Sequence, residues 1–201
     1  YLQLSTKIWK LKYVNIFAEL LNNINTPTDF TLGYPRKFAT FNYLSYDATK
    51  WFQASLFEGI IWIRTIPMGH TAFDFNLLNP IIGIRGFQKN LDVNTLYGIN
   101  AKLQFPKYIS VYGQYAINNL SGGMRTSGNR TGWQLGAKYF DAFGVNNLNL
   151  LVEFNAVRPY TYQGKTDSIL HYSHFNQSIT HPMGANFNEI LIMTNYRYKR
   201  Y

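Results

Sequence analysis

Cysteine is absent from the 201 residues, which excludes disulfide staples and thiolate metal sites. Charge is scarce: Asp, Glu, Lys and Arg make up 14% of the chain, against about 25% in ordinary soluble domains. Long apolar runs are missing as well. None exceeds about five residues, whereas a membrane-spanning helix needs about twenty, so a helical span is excluded.

The deficit in charge is filled by Asn, Gln, Ser and Thr, and above all by 16 Tyr and 15 Phe. Apolar residues reach 46%, enough for one domain with a sizeable core. A chain so rich in aromatic residues, with so few charges to keep it soluble, either hides those rings in an oligomer or turns them toward lipid. With helices excluded, only a β-barrel spans. The net charge of +9 admits nucleic acid, anionic lipid or an acidic polymer as partner. Its cations are scattered singly rather than clustered, which speaks against nucleic acid. The first residue is Tyr1 with no leader segment before it, so a processed or partial chain is expected.

Period-two patterning is clearest over Tyr97 to Phe105. There Tyr97, Ile99, Ala101, Leu103 and Phe105 face one way and Gly98, Asn100, Lys102 and Gln104 the other, the mark of a strand. Ile109 to Ile117, Trp133 to Tyr139 and Leu148 to Ala156 repeat the pattern, each at about the ten residues that a tilted membrane strand needs. Further strands are expected over Leu2 to Lys10, Asn15 to Asn22, Phe38 to Tyr46, Phe52 to Arg64 and Ile190 to Tyr198. The last of these reads as the closing strand of a barrel, its aromatic end at the lower girdle. All seven prolines fall in turns, loops or strand ends, as paired strands require.

Connections alternate in length. They are short after Lys10, Tyr46, Phe105 and Phe140, and long over Asn22 to Pro35, Ile66 to Val93, Asn118 to Thr131 and Tyr160 to Asn186. Outer-membrane barrels place short turns on the periplasmic side and long loops outside. The pattern predicts an all-β fold, a transmembrane antiparallel β-barrel forming one domain over 1–201, with 66–93 and 160–186 as long extracellular or lumenal loops. About nine strands is an odd number where bacterial single-chain barrels are even, so missing upstream strands are expected. The 66–93 stretch is too long for a simple connection and is expected to fold over or into the barrel. Glu58 shares a phase with Phe52, Leu56, Ile60 and Trp62, the face aimed at lipid, where a carboxylate is costly. A bulge at Gly59 is expected to reverse the phase and turn Glu58 inward.

Three stretches carry a family likeness: Arg158-Pro159-Tyr160, Tyr172 to Gln177 (YSHFNQ), and His181-Pro182-Met183-Gly184-Ala185-Asn186-Phe187-Asn188-Glu189. Together they resemble the carboxyl-terminal region of the Bacteroidota capsule-assembly (Wzi-type) outer-membrane family, which includes gliding-motility RemB-like proteins. The hairpin around FNYLSYDATKWFQASLFEGIIW, with Glu58 in an aliphatic and aromatic setting, is similar to a mid-chain hairpin of that family. The resemblance implies a barrel of roughly eighteen strands of which this chain is the second half. It also implies a bacterial outer-membrane location and a role in surface polysaccharide attachment or surface-machine assembly. His181, Pro182, Gly184, Asn186, Glu189 and Glu58 would be its structural motif residues.

The chemistry of single residues is weighed against plainer uses. His171, His174 and His181 with Glu189 suggest a metal site, but their spacings match no zinc template, and no metal or cofactor is expected. Ser173 or Ser178 beside a histidine suggests a hydrolase pair, yet no nucleophile elbow is present, so the chain reads as non-catalytic. Arg85, Lys89, Arg125, Arg130, Arg158 and Lys165, interleaved with Tyr160, Tyr162, Tyr172 and His174, combine cations for carboxylate or phosphate with rings for stacking. That suits an acidic glycan. The plain alternative is contact with lipopolysaccharide phosphates or solvent. Expected partners are outer-membrane lipid and lipopolysaccharide, an acidic surface polysaccharide, and other outer-membrane proteins. A passive porin and a soluble lectin-like all-β domain are the competing readings.

Overall fold

A computed structural model describes residues 1–22, 34–63, 81–83, 93–105, 108–118, 130–164 and 168–198. Nine strands form one antiparallel sheet: β1 (Leu2–Ile8), β2 (Leu11–Leu21), β3 (Arg36–Asp47), β4 (Phe52–Trp62), β5 (Val93–Gln104), β6 (Ile109–Asn118), β7 (Thr131–Tyr139), β8 (Leu148–Val157) and β11 (Phe187–Tyr196). They lie side by side in chain order. The connection from β8 to β11 carries a small hairpin of its own, β9 (Ser173–His174) with β10 (Gln177–Ser178). The sheet is open: β11, expected to close a barrel, pairs with β8 on one side and, among the described residues, leaves its other edge unpaired, as β1 does.

The short connections follow from local chemistry. In the β3–β4 turn the Thr49 hydroxyl accepts the backbone N–H groups of Trp51 and Phe52 at 3.3 and 3.0 Å, while Lys10 of the neighbouring turn donates to the Ala48 carbonyl at 2.9 Å. Between β7 and β8 the chain reverses through a 3-10 turn, Ala142–Gly144, with Asp141, Phe143 and Asn147 all left-handed. Asp141 stabilises that strained path by accepting the Asn147 N–H at 2.7 Å. These turns share one end of the sheet, and the long connections share the other.

Register divides the sheet into two faces. Residues that sit opposite one another on paired strands point the same way, and Leu44, Leu56, Ile99, Tyr115 and Trp133 form one such row over five strands. On the other face Lys7, Lys12, Ser45, Ser55, Asn100, Gln114, Gln134, Asn155 and Glu189 form a row across all nine. The phases read from alternation over Tyr97 to Phe105, Ile109 to Ile117, Trp133 to Tyr139 and Leu148 to Ala156 hold.

The expected bulge does not occur. Asn42, Phe41 and Thr40 pair in unbroken register with Glu58, Gly59 and Ile60, and β5 pairs equally regularly on the other side. Glu58 therefore stays on the apolar face between Leu56 and Ile60. No reversal is needed, because at the long-connection end β4 is buried on both faces: Glu58, Ile60, Ile61 and Trp62 are all closed to solvent. Alternation stops being informative where both sides of a strand are covered.

Candidate functional site

Among the described residues the largest buried assembly lies at the long-connection end of the polar face, where the described parts of the 158–186 segment, residues 158–164 and 168–186, are laid against β2 to β6. Tyr172 is its anchor. The ring packs among Leu20, Ala39, Ile61, Leu96, Ala116 and Leu170, and the hydroxyl donates to the Gly59 carbonyl at 2.6 Å, with the Asn94 carbonyl at 3.0 Å. Burial raises the Tyr172 phenol well above its ordinary pKa, so it remains a donor at any physiological pH. Gly59 fits this contact for lack of a side chain: a Cβ there would stand 3.2 Å from both Phe41 and Tyr172.

Polar side chains on the strands hold the segment's backbone. Lys37, fully buried, donates to the His171 carbonyl at 2.6 Å and to the Ser173 hydroxyl at 3.2 Å. Asn94 donates to the Leu170 carbonyl at 2.8 Å and accepts from Asn118 at 2.7 Å. His174 accepts the Leu21 N–H through Nδ1 at 3.1 Å. Buried amides and an ammonium so placed supply the partners that an irregular segment's backbone would otherwise lack. Nothing in the sequence singles out Lys37, Asn94 or Asn118, since each is an ordinary polar residue in strand phase until the segment arrives over it.

The residues expected to bind glycan part company here. Tyr172 is buried, and Tyr162 packs edge-on against it with centroids 6.4 Å apart; both rings are committed to the segment's own packing. Arg130 donates to the Gln163 carbonyl at 3.1 Å. His174 lies against Phe175, centroids 4.4 Å apart. Tyr160 alone of these rings stands open, at 65% exposure, next to the exposed Arg158. Arg125 lies outside the described residues, as do Arg85, Lys89 and Lys165.

The 181–189 stretch forms a second anchor, beside β8. His181 accepts the Met183 N–H at Nδ1 (3.2 Å) and faces a Glu189 carboxylate oxygen with Nε2 at 3.3 Å. This fixes the tautomer with the proton on Nε2. The imidazole stacks on Phe187, centroids 4.5 Å apart. Pro182 sits in the exposed turn, Gly184 and Asn186 take the left-handed conformation and let the chain drop onto β11. Glu189 accepts from Asn155 at 2.9 Å. Next to it Glu153 accepts from Tyr112, and from Gln134 and Asn155 at 2.9 Å each. Among the described residues no group of three or more His, Asp or Glu side chains is placed to hold a metal ion. Ser173 and Ser178 are engaged with Lys37 and Thr180.

Glu58 occupies a separate polar island on the apolar face. Its carboxyl accepts from Asn42 at 3.0 Å and from the Gly83 N–H at 3.1 Å, and Asn42 in turn accepts from Asn15. Residues 81–83, the described part of the 66–93 connection, thus lie on the apolar side of the sheet rather than over the polar face. Glu58→Leu should leave that N–H without its carboxylate acceptor and strand the Asn42 amide, a loss of about 1–3 kcal/mol. We expect faster proteolysis within 64–92 and a lower melting temperature; an unchanged digest would show that Glu58 does not hold the connection.

Compared with known proteins, the chain matches no family model, no curated protein and no solved structure. Its class therefore stands on its own geometry: an all-β chain built on one large antiparallel meander.

Proposed function

We propose that the chain is part of a transmembrane β-barrel of a bacterial outer membrane, a non-catalytic component that binds surface polysaccharide or assembles surface machinery. One observation carries the membrane reading. The apolar face leaves Leu2, Ile8, Ile99, Leu135, Ile190 and Ile192 exposed at 54–70%, while the opposite face presents the nine-strand polar row. Each such side chain left in water rather than in an apolar medium forgoes about 1.5–3 kcal/mol, and a lipid bilayer covers all of them at once. Strands of about ten residues, with short turns at one end and long connections at the other, fit the same arrangement.

A soluble lectin-like sandwich would need these apolar side chains to meet a second layer, and the described segments that cover the sheet pack at its long-connection end. An open porin fits poorly with the 158–186 segment lying on the polar face. The polysaccharide role rests on the family resemblance together with Tyr160 and Arg158 at the long-connection end.

Two measurements test the reading. The folded protein should require detergent and migrate faster in gel electrophoresis without boiling than after it. In cells, Arg158→Ala with Tyr160→Ala should lower cell-associated polysaccharide several-fold at equal barrel abundance, whereas Lys50→Ala at the short-turn end should not. Solubility without detergent would remove the barrel. Equal polysaccharide in all variants would leave a structural subunit of a larger assembly.

A further inference from the structure

We propose that the short-turn end of the polar face carries a binding site for a doubly charged phosphate group, formed by Lys10, Lys50 and Lys102. The site needs neither the membrane reading nor the polysaccharide reading.

Backbone pairing brings the three lysines to one cavity. Lys10 lies in the β1–β2 turn, and its carbonyl accepts the Asp47 N–H at 2.9 Å, which seats that turn against the end of β3. Its ammonium donates to the Ala48 carbonyl at 2.9 Å, so it is held beside the β3–β4 turn that carries Lys50. On the other side of the same hairpin Lys102 is the register partner of Gln53, and the Gln104 N–H donates to the Trp51 carbonyl at 2.7 Å. The three lysines line a single cavity of about 520 Å³, within the about 300–1,000 Å³ range of small-molecule sites.

The positive charge of this cavity is uncommitted. Among the described residues Asp47 is the one acid in the lining, and it accepts the Gln53 amide at 2.7 Å. Three ammonium groups against one carboxylate leave a surplus of two positive charges. Lys50 and Lys102 are exposed, and among the described residues neither is paired with an acid. Lys10 spends one of its three N–H donors on Ala48 and stands 5.2 Å from the Trp9 ring centroid, which leaves it able to donate to a ligand as well.

Charge selects the class. A surplus of two matches a dianion, and a phosphate monoester carries about −1.5 to −2 at neutral pH; a single carboxylate would leave one ammonium unmatched. Lysine meets phosphate as a point charge, whereas planar, bidentate carboxylate recognition favours arginine, and the described lining holds none. Trp51, 53% exposed in the cavity wall, offers an apolar surface to the group that bears the phosphate. Lys7, Lys12 and Lys138 stand on the same face outside the cavity, and their field draws anions toward it.

The phosphate belongs either to a small free ester or to a lipid headgroup, and the test separates the two. The purified full chain, in detergent where it needs one, is titrated at low salt with glycerol phosphate and followed by phosphorus NMR. In parallel it is incubated with vesicles of phosphatidylcholine and phosphatidic acid, re-isolated, and its bound lipid identified by mass spectrometry. Binding of glycerol phosphate assigns a free ester; enrichment of phosphatidic acid alone assigns a headgroup. Whichever probe binds, Lys50→Ala with Lys102→Ala should weaken it about tenfold or more, since one charge-assisted hydrogen bond is worth about tenfold. The melting temperature should not change, because both side chains are exposed. Lys7→Ala with Lys138→Ala should weaken binding only slightly, as screened charges outside the cavity do. Lowering the pH from about 7.5 to about 5 should also weaken it, as the phosphate loses the second charge that it gains near pH 6. Four results would overturn the proposal: neither probe binding to folded protein, an equal loss in the Lys7 and Lys138 pair, the same affinity at both pH values, or displacement of the bound probe by an equal concentration of galacturonate. None of them bears on the membrane reading, which heat-modifiability decides.

Discussion

Ile99→Arg, Leu135→Arg and Ile192→Arg should each prevent stable membrane assembly. All three side chains lie on the apolar face at more than half exposure, and an arginine near the bilayer midplane of a barrel costs about 2–4 kcal/mol. Against a net stability of about 5–15 kcal/mol for a typical domain, one such change is severe and two together should be decisive. Asn149→Arg and Asn195→Arg are the matched controls. They are register partners on β8 and β11, on the polar face, where a cation meets water. Heat-modifiable mobility after refolding into detergent or lipid reads the outcome directly. Assembly of the three apolar-face variants alongside failure of the two controls would mean that the lipid-facing and water-facing sides have been assigned the wrong way round.

Tyr172→Ala should release the 158–186 segment from the polar face. The ring is almost wholly buried, and truncating a buried aromatic to alanine costs about 3–5 kcal/mol, with the loss of the hydroxyl's bond to Gly59 included. Tyr172→Phe keeps the packing and should cost only the hydrogen bond, about 0.5–1.5 kcal/mol. Lys37 and Asn94 hold the backbone of the same segment and its His174 accepts the Leu21 N–H, but the nine-strand ladder does not run through the segment, so the alanine variant should remain folded as a sheet while the segment opens. Limited proteolysis should then cut between 158 and 186 in Tyr172→Ala and hardly at all in Tyr172→Phe. In planar bilayers the alanine variant should pass far more current than the parent protein. Equal currents in all three would show that this segment does not obstruct a lumen.

Much of the sheet was legible in the residues alone. A period of two, a strand length of about ten and the placement of prolines are local properties, and they gave the strands, their facing sides and the alternation of short and long connections. The phase of Ile190 to Tyr196, for instance, needs only the chain's own pleat. Composition likewise constrained the medium, because few charges and many aromatic residues restrict where such a surface is stable.

What the tertiary structure decided was everything that depends on a neighbour far away in sequence. Glu58 looked out of phase because alternation assumes one buried face, and β4 turned out to be covered on both; its partners, Asn42 and Gly83, come from register and from a returning connection. Tyr162 and Tyr172 looked like exposed loop rings, but their surroundings are set by strands as far back as Leu20 on β2. Gln114 and Gln134 carry no signal singly, and they become a surface only when strand register sets them side by side. Sequence fixes which way a strand's side chains point; only pairing fixes what stands next to them.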